Sequence, residues 1–141
     1  MRELTTSIEI DASAERVWAV LTDFAAFPEW NPFITSIEGE PVVGSRLRVR
    51  IAPPGGRAMT FKPAVKTADA PRELSWFGRL LVPGLFDGEH RFRLEPLDGG
   101  RTRFVQSERF SGILVALSGK ALAKAERGFE AMNEALKLRA E

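Results

Sequence analysis

The spacing of apolar residues at the C-terminal end predicts one long amphipathic helix over residues 113–141. At 100° per residue, one stripe of this helix is apolar and the opposite face is charged. The stripe carries small side chains over residues 118–128, whereas its second half carries Phe129, Met132 and Leu136. Small side chains leave space and large ones fill it, so we predict that the first half roofs a hollow and the second half packs tightly.

Seven other segments alternate between apolar and polar positions, which is the period of a β-strand. They are residues 4–10, 34–40, 45–51, 58–68, 72–79, 87–95 and 101–110. After the first segment, Ser13 is placed to begin a helix, and the prolines at 28 and 32 confine the aromatic stretch that follows to a short helical elbow. Pro63 lies inside the fourth segment and indicates a bulge or an unpaired edge position there.

The order of these elements, β-α-α-β6-α, predicts an α+β fold. We expect a seven-stranded, curved antiparallel sheet wrapped around the long C-terminal helix, because this arrangement buries every apolar face. A chain of 141 residues with 44% hydrophobic content is expected to form a single domain over residues 1–141.

The composition argues against several kinds of site. There is no cysteine and only one histidine, so we expect no disulfide, no metal site and no cofactor. The sequence also lacks a phosphate loop and a nucleotide-binding fingerprint.

No apolar run approaches the roughly 20 residues of a membrane span, and the first residues do not resemble a signal peptide. We therefore expect a cytoplasmic protein, without stable membrane insertion, that is a monomer or a homodimer.

The middle of the chain is basic, which raises the question of nucleic-acid binding. Residues 1–45 hold 2 basic and 8 acidic side chains, whereas residues 46–109 hold 13 and 7. The arginines at positions 46, 48 and 50 alternate with apolar residues, as on the solvated face of a sheet. We interpret the charge as a sheet surface and expect no nucleic-acid partner.

Three polar residues interrupt the apolar inward face of the predicted sheet: His90, Gln106 and Glu108. A three-residue turn over residues 98–100 would place His90 opposite Glu108, and Phe92 opposite Gln106. Opposed side chains lie about 5 Å apart at Cβ, although a register change of two residues would separate them. The trio is consistent with a structural pair, with polar anchors for an apolar ligand, or with acid-base catalysis by His90 and Glu108.

Six short motifs, spread over nearly the whole chain, resemble a known superfamily. They are VWAVLTDF (17–24), FPEWNPF (27–33), GEHRF (88–92), TRF (102–104), ERFSG (108–112) and GFEAMN (128–133). With these motifs the chain resembles the START-like helix-grip superfamily (SRPBCC), and within it the bacterial polyketide cyclase and dehydrase branch. The resemblance implies a deep cavity between the sheet and the long helix, with its mouth near the elbow. The fold serves lipid carriers, hormone receptors, cyclases and partner-binding proteins alike.

We expect the ligand-binding residues to come from the inward strand face, the elbow and the first half of the long helix. The predicted set is Trp30, Phe33, Phe61, Trp76, Phe86, His90, Phe92, Phe104, Gln106, Glu108, Ser118, Ala121, Leu122 and Ala125. Core packing is the competing interpretation for the aromatic members.

The function we favour is binding of a small hydrophobic molecule, such as a lipid, an isoprenoid or a polyketide-like compound, without a reaction. One alternative is a cyclase or dehydratase that uses His90 and Glu108 as acid and base. Another is a protein-interaction module with a vestigial cavity, which would use the sheet edge or the apolar connection at residues 80–86 as its interface. That connection could also be a lid, a continuation of the strands or a membrane contact, and we favour a lid or strand continuation over membrane contact because no basic cluster adjoins it.

Overall fold

Eight strands and three α-helices form the part of the chain that the structure describes. The computed structural model describes residues 2–80, 86–112 and 119–141, except for the side chains at positions 80, 86 and 121. The strands are β1 Arg2–Ile10, β2 Ile34–Glu38, β3 Arg48–Ile51, β4 Met59–Phe61, β5 Ala64–Asp69, β6 Glu73–Leu80, β7 Phe86–Leu97 and β8 Arg101–Ser111. The helices are α1 Ala14–Thr22, α2 Phe27–Trp30 and α3 Gly119–Ala140.

The strands form two antiparallel sheets. The larger sheet has the order β1-β8-β7-β6-β5, and the smaller one has the order β2-β3-β4. The two sheets adjoin where the Leu47 N–H donates to the Pro63 carbonyl at 2.8 Å and the Val65 N–H donates to the Ser45 carbonyl at 2.9 Å. The predicted α+β class, with an antiparallel sheet and a long C-terminal helix, is confirmed.

The prediction of seven strands was wrong by one, and Pro63 explains the difference. The segment predicted over residues 58–68 is divided into β4 and β5, with Pro63 between them. Proline has no N–H to donate to a strand ladder, so pairing is interrupted there. The chain changes partner at this point, because β4 pairs with β3 whereas β5 pairs with β6.

The helices close the core along one side of the sheets. Helix α1 begins after Ser13, whose hydroxyl accepts a hydrogen bond from the Arg16 N–H, and it buries Val17 and Leu21 completely. Helix α3 packs on β1 and α1. Its second half is buried at Phe129, Met132 and Leu136, all at most 1% exposed, and forms the tightly packed surface that we predicted.

The expected start of the long helix at residue 113 lies outside the described residues, as do residues 81–85 of the apolar connection. Strands β6 and β7 are paired up to Leu80 and Phe86 on either side of that connection. Within the part of the chain that the structure describes, no helix is both long and apolar enough to cross a bilayer.

Candidate functional site

The three inward-facing polar residues meet on the adjacent strands β7 and β8 of the larger sheet. The predicted register is confirmed: His90 on β7 lies opposite Glu108 on β8, and Phe92 lies opposite Gln106. His90 Nδ1 is 2.7 Å from Glu108 Oε1, and His90 Nε2 is 2.9 Å from Gln106 Oε1. Both nitrogens of a ring that is only 2% exposed therefore bond to neighbouring side chains.

The hydrogen bonds continue from Gln106 to two residues that sequence reasoning missed. Gln106 Nε2 donates to Asn133 Oδ1 at 2.8 Å and, more weakly, to the Phe129 carbonyl at 3.4 Å. Asn133 Nδ2 donates to Thr6 Oγ1 at 2.9 Å, and the Thr6 hydroxyl donates to the Gln106 carbonyl at 3.3 Å. A buried polar network thus joins β1, β7, β8 and α3. One feature of the sequence pointed to this network: Asn133 is a polar residue directly after Met132, on the buried stripe of α3.

The direction of each bond in this network determines the tautomer of His90. The Thr6 hydroxyl donates its one proton to the Gln106 backbone carbonyl, so the Thr6 oxygen can only accept from Asn133, and the atom facing it is Nδ2. The other end of the Asn133 amide, Oδ1, is then the acceptor for Gln106 Nε2. Gln106 Oε1 then faces His90 Nε2 and accepts from it. The imidazole therefore carries its proton on Nε2.

The second ring nitrogen shares a proton with Glu108. Either an imidazolium donates from Nδ1 to a carboxylate, or a carboxylic acid donates from Oε1 to a neutral imidazole. In both arrangements one proton lies between His90 Nδ1 and Glu108 Oε1, and the pair has no net charge. His90 has no free nitrogen for a ligand, so Glu108 is the member of the pair that can face one.

Gly88 makes room for the Glu108 carboxyl group. This glycine lies on β7, two residues before His90, and a Cβ atom at this position would collide with Glu108 Oε2. Oε2 forms no hydrogen bond with any residue that the structure describes. The Glu108 side chain is 17% exposed, in contrast to His90, Gln106 and Asn133, which are at most 2% exposed.

Aromatic rings surround His90 on several sides. Trp76 is stacked on the imidazole at 5.5 Å between ring centroids, Phe92 lies at 4.6 Å, and Phe129 meets it edge-on at 5.0 Å. The polar network is therefore enclosed in an apolar environment, where hydrogen bonds are strong and unpaired polar groups are costly.

Most of the predicted aromatic site residues pack in the core beside this network. Phe92 and Phe104 are fully buried and stacked on each other at 5.8 Å. Phe33 is 2% exposed and meets Phe129 edge-on at 5.6 Å. Trp76 is also buried, whereas Phe61 on the short strand β4 is half-buried.

The described side chains on the inward side of the first half of α3 are packed, whereas we expected an open roof there. Leu122 is buried and packs with Phe110 and Leu4, while Ala125 is half-buried against the main apolar cluster. At Gly128 the expected hollow is absent, because the Phe33 ring lies where a Cβ atom would be. The predicted contacts of Ser118, and of the side chains of Phe86 and Ala121, lie outside the described residues.

Trp30 lies apart from the polar network. It lines a groove of about 350 Å³ between α1, the elbow and the end of α3. The groove is bordered by Arg16, Ala19, Val20, Asp23, Ala26, Trp30 and Arg139. Trp30 and Phe33, the two elbow residues of the predicted ligand-binding set, therefore lie apart: Phe33 is buried beneath α3 and Trp30 faces this groove. The apolar pattern of the elbow gave no indication of which side each aromatic ring would take.

The side chains that flank His90 in sequence point to the opposite face of the sheet. There Glu89 bonds to Lys66 at 3.1 Å and to Arg91 at 3.0 Å. Burial by itself would raise the pKa of Glu89, but hydrogen bonds and attractive charge from Lys66 and Arg91 outweigh burial and hold the pKa below its ordinary value. This shift belongs to the solvent-facing ion pairs and not to the candidate site.

The described residues also contain no group of three or more acidic, histidine or cysteine side chains placed to hold a metal ion.

The family model described as polyketide cyclase / dehydrase and lipid transport matches residues 1–141, and the chain belongs to this family. No curated protein is similar enough to count as a relative.

Solved structures show the same fold at low sequence identity. A START superfamily protein from Mycobacterium smegmatis is 22% identical, with a TM-score of 0.77 over 98% of this chain and 96% of that chain. The Zhui aromatase/cyclase from a Streptomyces species is 20% identical, with a TM-score of 0.80 over 99% and 93%. A hypothetical protein from Helicobacter pylori is 16% identical, with a TM-score of 0.83 over 99% and 88%. At these identities the similarity concerns the fold.

Proposed function

We propose that the protein binds a small, mainly apolar molecule between the inner face of the larger sheet and the first half of α3, with Glu108 as the polar anchor. A lipid, an isoprenoid or a polyketide-like compound fits this description. The observation that carries the proposal is the network itself, which ends at Glu108, a partly exposed side chain whose second carboxyl oxygen has no bonding partner among the described residues. A few polar groups in an apolar wall are typical of small-molecule sites.

The family supports the same proposal, because its description includes lipid transport. The half-buried Ala125 supports it too, since a small side chain on the inward side of α3 leaves more room than the large residues of the second half. Glu108 would hold the polar end of the ligand, and the aromatic residues behind the network would keep Glu108 and His90 in place.

Filling the proposed site should weaken binding. We expect Ala125→Leu to reduce the affinity for an uncharged apolar dye such as Nile red by roughly tenfold, because the added side chain occupies ligand space. Ala123→Leu is the matched control, since Ala123 is exposed on the same helix and the substitution is identical. Fluorescence titration gives the affinities, and circular dichroism shows whether both variants fold. Equal weakening in both variants, or no dye binding by the wild-type protein, would contradict the proposal.

A second candidate function is acid-base catalysis of a dehydration, and the 2.7 Å contact between His90 Nδ1 and Glu108 Oε1 favours it. Glu108 would take a proton from the carbon next to a carbonyl group, and the pair would return one proton to the departing hydroxyl, which leaves as water. His90 would act only through Glu108, because both of its nitrogens are bonded.

Catalysis predicts a clear difference between wild-type protein and Glu108→Gln. The amide keeps a hydrogen-bonding group at this position but is not a base, so water loss from a bound β-hydroxy ketone should stop while the compound still binds. Mass spectrometry of the recovered compound distinguishes the two species. If the wild-type protein returns such compounds unchanged, they are not substrates and the binding function is favoured.

A further inference from the structure

We propose that the ligand group facing Glu108 is an uncharged hydrogen-bond donor, that is, an alcohol, phenol or enol hydroxyl, and that ionised carboxylates are rejected. This inference rests on the proposed binding function and names the chemical class of its ligand. It follows from the atom at the end of the network that has no bonding partner among the described residues, Glu108 Oε2.

The bond directions within the network leave Oε2 as an acceptor in every case. Gln106 fixes the proton on His90 Nε2, so the remaining proton of the pair lies between His90 Nδ1 and Glu108 Oε1. If the proton is on Nδ1, Glu108 is a carboxylate and Oε2 accepts. If the proton is on Oε1, Oε2 is a carbonyl oxygen and still accepts.

As far as the described residues show, each donor of the network is already bonded within it, so none is left for the ligand in place of Oε2. His90 donates to Gln106, Gln106 donates to Asn133, and Asn133 donates to Thr6. The Thr6 hydroxyl in turn donates to the backbone carbonyl of Gln106. The arginines next to this region along the two strands point away from it, with Arg91 paired to Glu89 and Arg109 to Glu3. An ionised carboxylate would place its acceptor oxygens against another acceptor.

A cationic ligand is disfavoured for a different reason. The His90–Glu108 pair has no net charge in either arrangement, so it cannot balance an ammonium group in an apolar enclosure of Trp76, Phe92 and Phe129. A neutral hydroxyl satisfies Oε2 and carries no charge into the site. Gly88 leaves room for this acceptor, because a Cβ atom there would collide with Oε2.

Three naphthalene compounds that differ only in their polar group test the inference: 2-naphthol, 2-methoxynaphthalene and 2-naphthoate. We expect the wild-type protein to bind 2-naphthol at least about tenfold more tightly than either of the others at neutral pH, as measured by isothermal titration calorimetry. The preference for 2-naphthol over 2-methoxynaphthalene should disappear in Glu108→Met, which removes the acceptor. It should persist in Glu108→Gln, whose amide oxygen can replace Oε2.

The outcomes separate this inference from the proposed function. Equal affinities for the three compounds, tightest binding of 2-naphthoate, or an unchanged preference in Glu108→Met would overturn the inference while the apolar site stands. The inference alone also fails if none of the three binds while Nile red still does. If neither Nile red nor any naphthalene compound binds the folded wild-type protein, the proposed function fails as well.

Discussion

Replacing Gln106 with leucine is expected to destabilise the protein by roughly 2–6 kcal/mol, which is a large part of the stability of a domain of this size. Gln106 is completely buried and bonds to His90 on one side and to Asn133 on the other. Leucine has a similar volume but no polar atom, so it leaves His90 Nε2–H and Asn133 Oδ1 unpaired. Each unpaired buried group costs about 1–3 kcal/mol. Urea denaturation measures the loss.

A double-mutant cycle shows whether the loss comes from the network. Asn133→Leu alone should also destabilise the protein, but the double variant should lose less than the sum of the two by about 1–3 kcal/mol, because both ends of the Gln106–Asn133 bond are then removed and neither is left unpaired. Additive losses would contradict the network as described.

The same network predicts a spectroscopic signature in the wild-type protein. The ¹⁵N chemical shifts of the single histidine should show Nε2 protonated, since Gln106 Oε1 can only accept. A histidine protonated on Nδ1 alone would show that the bond directions are wrong.

Gly128→Ala is expected to destabilise the protein by about 1–3 kcal/mol, against the normal helix preference for alanine. The added methyl group would overlap the ring of Phe33, which is 2% exposed and held against Phe129. A ring in this position cannot turn aside, so α3 must shift from the sheet or Phe33 must leave its place. Thermal or urea unfolding measures the effect.

Gly119→Ala is the matched control on the same helix. No described atom lies within 4 Å of a Cβ at Gly119, so this substitution should be neutral or should stabilise the helix by up to about 1 kcal/mol. If both variants were stabilised equally, the close approach of α3 to Phe33 would not exist in solution.

The local pairing of the site was predictable because a short turn sets the register of the hairpin that it closes. Gly99 and Gly100 adopt positive φ angles of 78° and 73°, which glycine tolerates, and this turn places His90 opposite Glu108. The alternation of apolar and polar residues then determines which side chains face inward. His90, Gln106 and Glu108 could thus be brought together from sequence positions alone.

The strand division at Pro63 was only partly predictable. A proline without an N–H predicts a break in pairing, but whether the chain makes a bulge or changes its partner strand depends on the strands available on each side. Here β3 and β6 were both available, so the chain passed from one sheet to the other.

Sequence by itself determined the α+β class, the inward faces of the strands, the tightly packed second half of α3 and the hairpin register, because each depends on residues close together in the chain. Tertiary structure decided that Asn133 and Thr6, 127 positions apart, complete the hydrogen-bond network of Gln106. It also decided that Phe33 packs under Gly128 while Trp30 faces a separate groove. These contacts depend on how α3 and the elbow lie on the sheet, and periodicity shows which face of an element is buried but not which residues it meets there.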